Sequence, residues 1–280
     1  GGGGAFGEGA PADRDLWIVQ DMPSPADLLQ GKVAVARKCA EWLQERMGLP
    51  NPDSLAHVTE LAGLLKSIGE YSEAEALFRY ELKASEELFG PTHPDTLTSV
   101  DNLAGLLKAI GVHDEAETLY RRALDGSVQK LGPYHPDTLT SFNNLASLLK
   151  AMGRLEEAES LYRHALKGSE ETLGETHPDT LTSMSNLAAL LTVRGNLAEA
   201  ERFYRIVLKA REEQLGPSDL QTLRTIGSLA ATVDRAGGAV EAERLYARGL
   251  RDARATLGPQ HQDTLVLLTG LAELLRSSGR

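Results

Sequence analysis

At 280 residues, with 41% hydrophobic side chains and a net charge of −11, the chain has material for a core but lacks the basic surface of a phosphate-backbone binder, so no nucleic-acid partner is expected. Its one cysteine, Cys39, excludes an intrachain disulfide framework and gives no support to an oxidising compartment. Aromatics make up only 5%, while Ala and Leu dominate, which suits helices better than sheets.

No 18-residue apolar run occurs, so membrane insertion is not expected, and no signal-peptide pattern is visible. The first residue is Gly1 rather than Met, which leaves a processed chain, a fragment and a shifted numbering all open. Cytoplasmic placement is the expectation, with an organelle, after removal of a transit peptide, as the alternative.

Residues 1–28 open with GGGGAFGEGAPADRDLW, glycine-rich and aperiodic, and read as a flexible segment in which LWIVQDM can pack along the first helices. From residue 29 onward the chain repeats itself. Gly48, Gly90, Gly132, Gly174, Gly216 and Gly258 stand 42 residues apart, and so do Gly69, Gly111, Gly153, Gly195, Gly237 and Gly279. Leu-Ala pairs starting at Leu61, Leu103, Leu145, Leu187, Leu229 and Leu271 keep the same register. The array spans 29–280: a degenerate half-unit at 29–48, five helix pairs over 53–258, and a terminal helix at 263–279.

Each pair consists of a helix A and a helix B. In one copy Leu139, Phe142, Leu145, Ala146, Leu149 and Met152 recur at steps of three and four, a helical apolar face. Pro136 and Asp137 suit its first turn, and Gly153 suits a left-handed close. Helix B follows with Ala158, Leu161, Tyr162, Ala165, Leu166, Ser169 and Leu173 as its stripe, closed by Gly174. One such pair cannot bury its stripe alone, so neighbouring pairs must stack. On the terminal helix, Leu268, Leu271, Leu274 and Leu275 have no following helix B and are expected to be uncovered.

A period of 42 also fits HEAT and armadillo repeats and WD40 blades, but strand alternation and Trp-Asp pairs are absent. The Leu-Ala pair on A and the Ala-x-x-x-Tyr spacing on B decide among helical types. The stretch NNLASLLKAMGRLEEAESLYRHAL followed by LGETHPDTLTS resembles the kinesin light chain-like class of tetratricopeptide repeats, with its NNLA helix and LGxxHPD linker. The resemblance covers roughly 30–280. It implies an all-α fold, a right-handed superhelical solenoid of antiparallel helix pairs with helix A lining the inner face.

On that geometry three ladders of helix-A residues point into the groove: Asn102, Asn144 and Asn186; Thr98, Thr140 and Thr182; and Lys66, Lys108 and Lys150. Asparagine at this place in related arrays holds bound peptides. An amide both donates and accepts, so it can pair with an extended backbone. Lysines offer point charges to an acidic segment. A plainer reading gives the threonines to their own helical turns and the lysines to solvated helix ends. The matching asparagine place holds Glu60, Ser228 and Gly270 in the other units.

His93, His135 and His177 recur in HPD linkers one repeat apart, too far to share a metal, and belong to helix starts. Cys39, near Trp42, reads as a small hydrophobe. No catalytic grouping and no cofactor loop is found. The function expected is a non-catalytic protein–protein interaction scaffold holding an extended, partly acidic peptide or docking edge-on into a larger assembly. The alternatives are a regulatory or sensing fragment of a multidomain signalling protein and a motor cargo adaptor.

Overall fold

The computed structural model describes residues 52–279. The expected segment at 1–28 and the half-unit at 29–48 lie outside these residues. The chain divides into two compact units, Gly1–Gly126 and Ser127–Arg280. The first contains α1 (Pro52–Ile68), α2 (Tyr71–Phe89), α3 (Pro94–Ala109) and the larger part of α4 (His113–Leu131), in which the division falls. The second contains α5 (Pro136–Ala151), α6 (Leu155–Leu173), α7 (Pro178–Arg194), α8 (Leu197–Leu215), α9 (Leu220–Arg235), α10 (Ala239–Thr256) and α11 (Gln262–Ser277). Odd-numbered helices are A and even-numbered helices are B. The described residues contain no strand.

The HPD linker starts helices by side-chain capping. His93 accepts the Asp95 amide hydrogen at Nδ1 (3.3 Å), and His135, His177 and His261 do the same for Asp137, Asp179 and Asp263 at 3.2 Å. At the fifth equivalent place Asp219 substitutes, its Oδ1 accepting from the Gln221 amide at 2.8 Å. The imidazole must present a bare Nδ1 for this, so the neutral ring carries its proton on Nε2. Pro94, Pro136 and Pro178 then occupy a first-turn position where no backbone hydrogen is needed.

The two glycine series do different work. Helix A ends in a left-handed residue, as at Gly195 (φ 84°, ψ 5°), and Gly153 has φ 79°. Helix B ends at Gly90, Gly174 and Gly216 with φ 89° to 93° and ψ 159° to 165°, a region that only glycine populates.

In unit 2 each helix packs on its successor, and A helices also meet one another: α5 with α7, α7 with α9, α9 with α11. An interior A helix is therefore covered on three sides. This accounts for the burial of Leu148 and Leu190, outside the stripe read from sequence, beside Leu139, Leu145, Ala146 and Leu149 within it. Tyr162 of α6 is 1% exposed. Its hydroxyl meets Ser147 of α5, and burial outweighs that bond to push the phenol up to about 12.

On α11 the expectation of uncovered leucines holds for Leu268, which is exposed, but not for Leu274, which is 1% exposed, or for half-buried Leu271 and Leu275; Leu265 and Val266 are exposed as well.

On the B layer, arginines pair with glutamates 36 residues on. Arg79 reaches Glu115 at 2.7 and 2.9 Å, Arg163 reaches Glu199 at 3.0 and 3.1 Å, and Arg205 reaches Glu241 at 2.7 Å. Each also holds the glutamate four residues before it. Exposed pairs contribute only about 0.2–1 kcal/mol each and weaken with salt.

Replacing His135 by Ala is expected to cost about 1 kcal/mol in denaturant unfolding, while His135→Asp, copying the arrangement at Asp219, keeps most of that. Equal losses for the two variants would refute the capping role. Gly174→Ala is expected to cost roughly 1–3 kcal/mol. Gly153→Asn, at a left-handed position open to asparagine, should be nearly neutral, and Gly153→Val clearly destabilising. No heavy atom lies within 4 Å of a Cβ placed at either glycine, so the Gly174→Ala loss reports backbone conformation.

Candidate functional site

Each A helix leaves one strip away from its neighbours. On α5 it carries exposed Thr140 and half-buried Asn144, and on α7 it carries exposed Thr182 and half-buried Asn186. The amides of Asn144 and Asn186 form no side-chain hydrogen bond with another described residue. Their neighbour Asn143 is spent differently: its Nδ2 donates to Ser183 Oγ at 2.7 Å, bracing α5 against α7. The threonines give their hydroxyl protons to carbonyls one turn back, Thr98 to Pro94, Thr140 to Pro136 and Thr182 to Pro178, at 2.9–3.1 Å. They bind their own helices and keep only an acceptor for anything else.

Lys66, Lys108 and Lys150 are half-buried. Burial holds the Lys66 and Lys150 ammonium groups below the usual lysine range. Lys108 is already engaged by a neighbouring group. In unit 1 the equivalent Asn102 faces the carboxyl of Glu81 on α2. The three asparagines thus serve two settings, one with a partner inside the chain and two without.

Two hollows lie along these strips. In unit 2, one of about 730 Å³ opens between α9 and α11, where Gly227, Ser228, Ala231 and Gly270 are small; Arg224, Asp263, Val266 and Glu273 surround it and the Tyr246 ring forms part of its wall. Arg224 is pinned there to Asp263 at 2.7 and 3.1 Å, and the pairing holds the aspartate below the usual carboxylate range. In unit 1, one of about 430 Å³ lies among α1, α2 and α3, lined by Thr59, Glu81, Ser85, Asp95, Thr98 and Ser99 among others.

Glu81 was not evident from the ladders. It is 3% exposed, and burial raises its pKa against the opposing pull of Ser99, Thr59 and Asn102. One signal was present in the sequence: at the same register the later units carry Ala123, Ala165, Val207 and Gly249.

His93, His135, His177 and His261 cap helices, and His164 packs. His164 lies against Phe142 (4.4 Å between ring centres) and Tyr134 (5.9 Å). Among the described residues no three of His, Cys, Asp and Glu are grouped to hold a metal ion. Cys39 lies outside them. No described helix is long and apolar enough to cross a membrane.

The tetratricopeptide repeat profile matches four overlapping stretches, 54–126, 98–171, 137–205 and 179–255. The chain belongs to the tetratricopeptide repeat family. Its structure is similar to that of BtubC (BKLC) from P. vanneervenii, at 26% identity and a TM-score of 0.66 over 83% of this chain and 93% of that one. A Podospora anserina protein assigned as a kinesin light chain, with nearly identical TPR-like repeats, is 26% identical with a TM-score of 0.61, over 74% of this chain and 98% of its own. The apo quorum sensor NprR from B. thuringiensis shares the fold at 16% identity, with a TM-score of 0.63 over 88% of this chain and 65% of that one. No curated protein sequence matches the chain. As a family of repeat scaffolds, tetratricopeptide proteins imply protein partners.

Glu81→Gln supplies a pH test of the buried acid. Both Glu and Gln are neutral in the folded and unfolded chain below the ordinary glutamate range. As pH rises, the unfolded Glu81 ionises first while the folded one resists, so wild type loses stability through that window. The melting temperature of Glu81→Gln should therefore exceed that of wild type by more at pH 7 than at pH 4. A difference independent of pH would contradict the burial argument.

Proposed function

We propose that the chain is a non-catalytic protein–protein interaction scaffold that holds an extended peptide segment against its A-helix strips. The observation that carries this reading is the pair Asn144 and Asn186, half-buried amides on neighbouring A helices, each without a side-chain partner among the described residues. An extended backbone offers alternating donors and acceptors, and a side-chain amide can meet both. Lys66 and Lys150 favour an acidic group on the partner, because burial already strains their charge and an anion relieves it. Thr98, Thr140, Thr182, Lys108 and Asn102 border the same strips with their donors or charges already in use. A single cysteine suits a reducing compartment, and cytoplasmic placement goes with this reading.

A second reading, edge docking into a larger assembly, is favoured by α11, where Val266 is 61% exposed beside exposed Leu265 and Leu268. Both uses are protein binding.

The test selects peptides from a random displayed library on the 280-residue chain and titrates the selected sequences by calorimetry. Asn144→Ala with Asn186→Ala is expected to weaken binding by about tenfold or more, the loss of one to two net hydrogen bonds. The melting temperature should hardly change, since neither amide supports the fold. Unaltered affinity in the double variant would dispose of the asparagine role; loss only on Leu265→Ser with Val266→Ser would favour the edge.

A further inference from the structure

The hollow in unit 1 has a floor unlike that of the later units. Glu81, on α2, points between the two A helices α1 and α3, where the later units place Ala123, Ala165, Val207 and Gly249. Its Oε1 accepts from Ser99 Oγ at 2.8 Å. That hydroxyl has one proton to give and also stands 3.2 Å from the Asp95 carbonyl. Ser85 Oγ backs it at 3.1 Å. Thr59 and Asn102 lie near the carboxyl, but Thr59 gives its proton to the Leu55 carbonyl at 2.9 Å. Glu81 Oε2 is cut off from solvent and has no hydrogen-bond partner.

A carboxylate oxygen removed from water and left unpaired is costly. Three small polar neighbours reduce that cost without cancelling it. Among the described residues no lysine or arginine lines the hollow, and the other titratable group on its wall, Asp95, is also an acid. The described wall is therefore anionic and brings no counter-charge of its own. About 430 Å³ leaves room for one long side chain.

We propose that this hollow is a specificity socket for a single cationic side chain, an arginine or lysine of the bound segment, which would pair with Glu81 and be flanked by the hydroxyls of Thr59 and Ser99. A guanidinium suits it best, because its planar fork serves a carboxylate and flanking hydroxyls at once. The proposal rests on the peptide-holding reading for the source of the cation, but not for the chemistry of the socket. It adds to the acidic preference of the lysines a basic residue at one fixed place, so the expected partner segment has mixed charge.

The experiment uses the isotope-labelled 280-residue protein and three small probes at matched ionic strength: n-butylguanidinium, n-butylammonium and neutral butyramide. Both cations, the guanidinium more strongly, should shift the resonances of Thr59, Ser99 and Asn102 saturably, and butyramide should not. Glu81→Gln, which keeps shape and hydrogen bonding, should weaken the cation response at least about tenfold, corresponding to a pair worth about 1.4 kcal/mol or more. Its melting curve checks that it remains folded, and Ser99→Ala, which leaves the carboxylate in place, should weaken the response less. The Asn144→Ala and Asn186→Ala variant should keep the cation response while losing peptide, which separates the socket from the peptide-holding reading. No saturable cation shift, an equal response to butyramide, or a response unchanged in Glu81→Gln would each overturn the proposal.

Discussion

No helix pair here can bury its own apolar surface. Helix α7 shows the consequence: it requires α6 and α8 at its back and α5 and α9 at its flanks before Leu187, Leu190 and Leu191 are all out of water. Burial of apolar surface is the dominant favourable term in folding. In this chain most of it is shared between pairs rather than contained within one. The small residues of the repeat follow from that sharing. Ala146, Ala158, Ala188 and Ala200 are completely buried, and Tyr162 and Tyr204 are buried with them.

Within each unit, stacking depends on junctions that fix where the next helix begins, and they do so with few atoms. A histidine or aspartate cap, a proline in the first turn and a glycine in a conformation closed to other residues fix the B-to-A corner. The A-to-B corner relies on the gentler left-handed glycine. Outside the apolar layer, the arginine–glutamate pairs add a ladder that is weak pair by pair but repeats with the helices.

Much of this was legible in the sequence. The period, the helix type and the helix limits can be read because Pro136 and Gly153 punctuate an otherwise continuous apolar pattern. What escaped did so for identifiable reasons. The HPD histidines read as helix starts, but the means, the Asp137 amide donating to one ring nitrogen of His135, is not visible in the letters. The Arg163–Glu199 pair spans 36 residues, an offset hidden by reading only in steps of 42. The stripe on α5 missed Leu148 because a helical face read from one helix assumes one buried side. Among the candidate side chains, Asn144 and Asn186 have open amides, whereas Asn102 and the threonines are partly committed within the chain, which no ladder of identical letters can reveal. Glu81 escaped because attention to a repeat favours what recurs, and it is legible only as a departure.

The caps, the glycine corners and the arginine–glutamate pairs share one property: each joins groups no farther apart along the chain than a single repeat. A gene encoding such a chain can therefore cross over unequally within itself, gaining or losing a whole module, and every cap still finds its amide and every arginine its acid. The identical HPDTLTS words around Pro94, Pro136 and Pro178 fit that constraint. The lone acid at Glu81 is the sort of mark by which one copy, once made, acquires a use of its own.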